Sequence, residues 1–167
     1  RKIIKFLSKK NLTKIDILFD VGAHKGESIN LFLSNMNVKK IISFEPSPIN
    51  FLKLKNIKEH YIKKFDKTEI LIENIGLGNE NKEINFKQFE ESSSSTIKEL
   101  DEESSYFKKK FNLLNYFSKE KIYKILKVKI TTLEDYMNLN KINKISFLKI
   151  DTEGYEYEVL KGLKKKI

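Results

Sequence analysis

Phe19-Asp20-Val21-Gly22-Ala23-His24-Lys25-Gly26-Glu27 decides how the rest of the chain is read. The apolar run from Ile15 to Val21 leads into it as a buried first strand that ends at Gly22. Beyond Gly26 the period changes, with Ile29, Phe32, Leu33 and Met36 at the i, i+3, i+4, i+7 spacing of a helix face. Strand, glycine turn and helix in succession open a βαβ unit. Such a turn aims backbone N–H groups and a helix N-terminus at any negative group above it. Glycine serves there where φ must be positive or a ligand must come close to the backbone. The spacing is G-x-x-x-G, which is neither the G-x-G-x-x-G of dinucleotide enzymes nor the P-loop pattern. It suits a small anion, such as the carboxylate of a methionine moiety, better than a pyrophosphate. A purely structural turn between strand and helix carries the same residues.

Working outward, Ile41 to Phe44 is a short second strand, and Glu45 ends it 23 positions after Gly22. A carboxylate in that place in a βαβ unit can accept hydrogen bonds from both hydroxyls of a ribose. Pro46-Ser47-Pro48 stiffens the backbone beside it, with Ser47 as cap and Pro48 as first residue of the next helix. Glu69 to Ile75 is a third strand. Asn79-Glu80-Asn81 is a turn, and Lys82 to Phe89 alternates as an antiparallel strand beside the third. Ser92 to Ser95 is a polar loop, followed by a charged helical stretch with Phe107, Phe111 and Leu114 on one face. Leu126, Val128 and Ile130 alternate with lysines, so this strand is half exposed; Thr132-Leu133-Glu134-Asp135 is a capping box. Ile145 to Ile150 is the fourth core strand, and Tyr155, Val159, Leu160 and Leu163 face one side of a last helix.

The pattern predicts an α/β fold: a doubly wound, Rossmann-like sheet with an inserted hairpin and helical segment. Residues 1–14 form a lead-in helix and residues 15–167 one domain. A crossover helix normally feeds another strand, and here it is followed by Ile167, so the sheet is expected to be cut short at its C-terminal end.

A second chemical segment is Phe147-Leu148-Lys149-Ile150-Asp151-Thr152-Glu153-Gly154. In a doubly wound sheet the chemistry lies outside the carboxyl ends of the strands, where the winding reverses. With the fourth strand beside the first, Asp151 faces the glycine turn across that crevice. Asp151 and Glu153 would then stand near the reactive end of a cofactor, or else cap the final helix. A competing reading has Asp151 and Glu153 ligate a divalent cation; hard oxygen ligands suit Mg²⁺, but two carboxylates with no further ligand make a thin case. Gly22 to Gly26 and Glu45 together indicate an adenosine-containing cofactor, either S-adenosylmethionine or a nicotinamide nucleotide.

Composition narrows the classes. Hydrophobic residues at 40% and charged residues at 34% over 167 residues describe a globular domain with a core. No apolar run approaches the roughly 20 residues of a membrane span. The absence of cysteine excludes disulfides and thiolate metal sites and fits a reducing compartment, so a cytoplasmic location is expected. Net charge is +10, but Arg1 is the single arginine among 33 basic residues. Base readout and bidentate phosphate clamps favour arginine, which argues against a nucleic-acid partner. A lysine surface can still hold phosphates without specificity, so a non-catalytic module for RNA or anionic glycan is a rival reading.

The segments FDVGAHKGES, FEPSP, ENIGLGNENKEINF, VKITTLEDYM and FLKIDTEGYEYEVLKGL, in this order, resemble the FkbM-type methyltransferase family from Ile15 to Leu163. The resemblance implies S-adenosylmethionine as cofactor and O-methylation of a hydroxyl on a sugar, glycan or natural-product acceptor. It implies cofactor binding by the segment Asp20, Gly22, Ala23, His24 and Gly26, and ribose binding by Glu45. Asn74 and Ile75 would flank the adenine, by analogy with related methyltransferases. The Asp151-x-Glu153-Gly154 motif would supply the catalytic carboxylates, with Asp151 as general base or orienting acceptor and His24 as second choice. His24 stands where the family often has asparagine, and Tyr155 where it is variable. Ser92 to Ser95 is similar to a shorter serine stretch in the family; it reads as a solvated loop first and as a wall of the pocket second. The rival enzyme class, a nicotinamide dehydrogenase, lacks its G-x-G-x-x-G here.

Overall fold

Strand β1 (Lys14–Val21) is buried on both faces over its last four residues, which marks it as central. A computed structural model describes residues 2–89 and 123–163. In it β1 pairs in parallel with β2 (Asn37–Phe44) on one side and with β7 (Phe147–Ile150) on the other. β3 (Glu69–Glu73) lies outside β2, giving the all-parallel order β3-β2-β1-β7. Winding runs outward from β1 to β3 and then reverses, because β7 joins the opposite side of β1. The switch point is therefore at the β1–β7 seam.

Side chains alternate across the strands and divide the core into two layers. Leu18 and Ile41 pack with Ile29, Phe32 and Leu54 against α1 (Lys2–Lys9), α2 (Glu27–Leu33) and α3 (Pro48–Lys64). Phe19 and Ile42 point the other way and pack with Leu133, Tyr136 and Val159 from α4 (Leu133–Leu139) and α5 (Glu156–Lys161). Helices cover both faces, as a doubly wound fold requires. Among the described residues no helix is long and apolar enough to cross a membrane.

Among the described residues the predicted elements are present with shifted ends. β2 starts at Asn37, ahead of Ile41; β7 starts at Phe147, after Ile145; and α2 stops at Leu33, with Met36 buried beyond it. β3 stops at Glu73, and β4 (Gly76–Gly78) begins a second sheet, of order β4-β6-β5. The strand β5 (Lys82–Phe89) therefore does not lie beside β3, as its alternation alone suggested. It runs antiparallel to β6 (Tyr123–Thr132), where Ile84 and Phe86 meet Val128 and Ile130 in a small apolar cluster. Matching alternation on both strands makes that pairing the one that buries their apolar faces. The loop Ser92 to Ser95 and the helical stretch with Phe107, Phe111 and Leu114 lie outside the described residues.

Two helix starts follow their capping signals. Ser47 Oγ accepts from Asn50 N at 3.2 Å, with Pro48 at the first position of α3. Thr132 Oγ1 accepts from Asp135 N at 3.0 Å. Asn81 supplies the return contact: Thr132 N donates to Asn81 Oδ1 (3.1 Å) and Asn81 Nδ2 donates to Asp135 Oδ2 (2.8 Å).

Candidate functional site

The site is built where β1, β2 and β7 end together. Gly22 has φ +77°, and a Cβ there would stand 2.0 Å from the carbonyl oxygen of Asp151. The turn and the end of β7 thus meet main chain to main chain, and Asp151 N donates to Val21 O at 3.0 Å. This contact carries Asp151 to the rim opposite the turn, as the placement of β7 beside β1 predicts. Gly26 is used differently. At φ +85° it faces α3, where a Cβ would lie 2.9 Å from Leu54 Cδ1 and 3.1 Å from Ile57 Cδ1. It packs the turn against α3 and does not line the crevice.

The turn is not a set of waiting donors. Gly22 N and Ala23 N both donate to Phe44 O (3.0 and 3.1 Å), and Gly26 N donates to Ala23 O (2.8 Å). His24 N donates to Glu45 Oε2 at 2.8 Å and Lys25 N to Glu27 Oε2 at 3.2 Å. Every N–H from Gly22 to Gly26 already has an acceptor in the chain, so the small-anion cradle read from the glycine spacing is not formed by these groups. His24 is left-handed at φ +50°, and its Nδ1 lies 3.2 Å from Glu27 Oε1.

Glu45 is the most enclosed acid that opens on the crevice, 5% exposed. Its Oε2 takes the His24 N–H and its Oε1 takes the Ser47 N–H at 2.9 Å. Burial pushes its carboxyl up to about 7, helped by the nearby charge of Asp20 and opposed by the bonds from Ser47, His24 and Asn50. With the Asn50 amide as a third donor, the carboxylate keeps one lone pair for a hydroxyl. The crevice in front of it measures about 780 Å³, with Gly22, Ala23, His24 and Pro46 near Glu45 and Asp151 and Glu153 on the β7 side. Among the described residues no group of three or more His, Asp or Glu could hold a metal ion.

A family profile described as the methyltransferase FkbM domain matches residues 20–167. The chain belongs to this family. The FkbM domain described here is also similar to the crystal structure of methyltransferase FkbM from Methylobacillus flagellatus KT, at 18% identity and a TM-score of 0.55. That likeness, in the fold, covers 91% of this chain and 30% of the other, so the chain spans under a third of that protein's length. Comparison with curated proteins finds no match.

Within the FkbM domain the expected site residues separate into two groups. Gly22, Ala23, His24, Glu45, Asp151 and Glu153 line one crevice. Asp20, Gly26, Asn74 and Ile75 do not. Asp20 is wholly buried beneath the turn, accepting from Ser28 Oγ at 2.5 Å and paired with Lys149 Nζ at 3.0 Å. Asn74 Nδ2 donates to the carbonyls of Glu45 (2.9 Å) and Pro46 (3.2 Å), bracing the chain behind the ribose candidate. Ile75 packs in the layer with Phe19 and Phe44, and Gly76 and Leu77 reach the crevice instead. β3 ends before Asn74, and this shift moves the lining two residues along the chain.

Neither Asp151 nor Glu153 caps α5. Glu156 Oε1 closes that loop, accepting from Thr152 N (3.0 Å) and Gly154 N (3.1 Å), and Asp151 keeps a side chain 69% exposed. Sequence reasoning passed over Lys149. Its Nζ joins Asp20, the Gly22 carbonyl (2.9 Å) and, at 3.9 Å, Asp151 Oδ2. The signal was present, since a lysine inside the apolar strand Phe147–Ile150 needs a carboxylate partner, and Asp20 stands in an equally apolar strand.

Proposed function

We propose that this FkbM domain binds S-adenosylmethionine and serves O-methylation of a hydroxyl on a sugar, glycan or natural-product acceptor. The observation that carries the reading is Glu45, a buried carboxylate held by two backbone N–H groups at the carboxyl end of β2, facing the crevice. A crevice of about 780 Å³ is in the range of about 300–1,000 Å³ that small-molecule sites occupy. Glu45 would accept from the ribose diol, and Gly22, Ala23 and His24 would bound the nucleoside from below. The cofactor supplies a methyl group on a sulfonium, open to attack by an oxygen nucleophile. Asp151, exposed at the end of β7, would orient the acceptor hydroxyl and take its proton, with Glu153 beside it. The lysine-rich surface supports attraction of an anionic acceptor better than reading of bases.

Titration calorimetry with S-adenosylmethionine and with NAD, on the parent and on Glu45→Gln and Glu45→Ala, tests the cofactor half. Binding of S-adenosylmethionine alone, weakened about 10- to 150-fold by Glu45→Ala, is expected when a hydrogen bond to a charged group worth about 1.5–3 kcal/mol is lost. Binding of NAD alone, or affinity indifferent to both variants, would refute it. A screen for methyl transfer onto glycans and hydroxylated metabolites tests the acceptor half.

A further inference from the structure

Asn50 stands in the first turn of α3, with its backbone N–H on the Ser47 hydroxyl that caps the helix. It is 2% exposed and lines the crevice beside Glu45. Its side-chain amide gives a hydrogen bond to the Glu45 carboxylate, which commits the Nδ2 end. The Oδ1 end is sealed from solvent and has no hydrogen-bond partner among the described residues. A buried acceptor without a donor costs folding free energy, whereas an apolar side chain of the same shape would avoid the cost. Leucine is such a side chain, and α3 already carries one at Leu54, a turn further on. The liability sits at the one place in α3 that faces both the crevice and the acid that reads its ligand.

We propose that Asn50 is a second ribose-binding residue: one hydroxyl of the cis-diol donates to Glu45, and its neighbour donates to Asn50 Oδ1. The assignment rests on the adenosine reading of the crevice. It makes the site a two-acceptor reader, in which a charged and a neutral oxygen divide a vicinal diol between them. A neutral amide can do this beside Glu45 and the buried Asp20 without adding a third negative charge. The terminal torsion of asparagine is broad, so the amide can turn Oδ1 to the incoming hydroxyl as the ligand's own donor replaces Nδ2 on Glu45.

The test is Asn50→Leu, titrated by calorimetry or NMR with adenosine, 2′-deoxyadenosine and 3′-deoxyadenosine, alongside urea unfolding without ligand. The unfolding midpoint is expected to change little, because relief of the unpaired Oδ1 offsets the lost bond to Glu45, while adenosine affinity falls about threefold to tenfold. That penalty should vanish for the one deoxynucleoside that lacks the hydroxyl read by Asn50, and persist for the other. Parent-like adenosine affinity in the folded variant, or an equal penalty on all three nucleosides, overturns the assignment and leaves the cofactor reading standing. A folded parent that binds none of the three overturns both. Should leucine prevent folding, Asn50→Ala gives the same comparison without added bulk.

Discussion

Ionising Glu45 should weaken the empty protein, and Glu45→Gln should erase that pH dependence. The carboxyl moves from an ordinary value of 4.5 to about 7 in the fold, chiefly because burial penalises its charge. Between those values the folded state holds a proton that the unfolded chain has released. Stability therefore falls as pH rises from 4.5 to about 7 and is level on either side of the window. At about 1.4 kcal/mol for each of roughly 2.5 units, the decline from this one group is about 3–4 kcal/mol. Glutamine keeps the shape but turns an NH₂ toward either His24 N or Ser47 N, a fixed loss of about 1–3 kcal/mol at every pH. Urea unfolding of parent and variant at half-unit steps from pH 4 to 8 reads the difference between them. The parent's advantage should shrink by about 3–4 kcal/mol across the window and reverse sign near neutrality. A parent-minus-variant difference that stays constant with pH would show that the carboxylate is not held in this way. The same linkage predicts that adenosine binding releases a proton, since hydroxyl donors favour the ionised form; calorimetry in buffers of unlike ionisation enthalpy counts it.

Gly22→Ala should lose more than about 2 kcal/mol, because φ +77° strains any side chain by about 1–2 kcal/mol and the new Cβ meets the Asp151 carbonyl. An unchanged urea midpoint would refute the main-chain contact. Lys149→Met should cost about 3–5 kcal/mol by stranding Asp20 in the core. Adding Asp20→Asn should restore a large part of that, and a double variant as unstable as the single one refutes the pairing. Asp151→Asn should slow methyl transfer about 10²- to 10⁴-fold with cofactor affinity intact. Normal turnover in that variant removes Asp151 from the chemistry.

The strand-turn-helix around Gly22 was legible because hydrophobic period switches from run to helix face within a dozen residues, and the place of Glu45 followed from it. Local capping at Ser47 and Thr132 was legible for the same reason, since each signal lies within four residues. What stayed hidden depends on partners far along the chain. Gly26 reads as a ligand position, yet the side chains that require it, Leu54 and Ile57, come from a helix some thirty residues later. The glycine turn reads as a row of free donors, yet the acceptors of its Gly22 and His24 N–H groups, Phe44 O and Glu45 Oε2, come from the end of a strand about twenty residues later. The choice of β6 over β3 by β5 turns on two strands with equal alternation, and on a third sheet position that Gly76–Gly78 fills.

Asp20 and Lys149 face each other directly across the β1–β7 ladder. β7 has only four residues, and Phe-Leu-Lys-Ile would slide along Phe-Asp-Val with little change in apolar contact. A slip of one place would set Lys149 against Phe19 or Val21 and throw it into the opposite layer. The ion pair thus acts as a ratchet tooth that rejects every misaligned assembly of the seam. Because the buried Asp20 charge is not tolerable alone, position 149 cannot lose its lysine before position 20 changes, and descendants of this chain should exchange the two residues in that order or keep both.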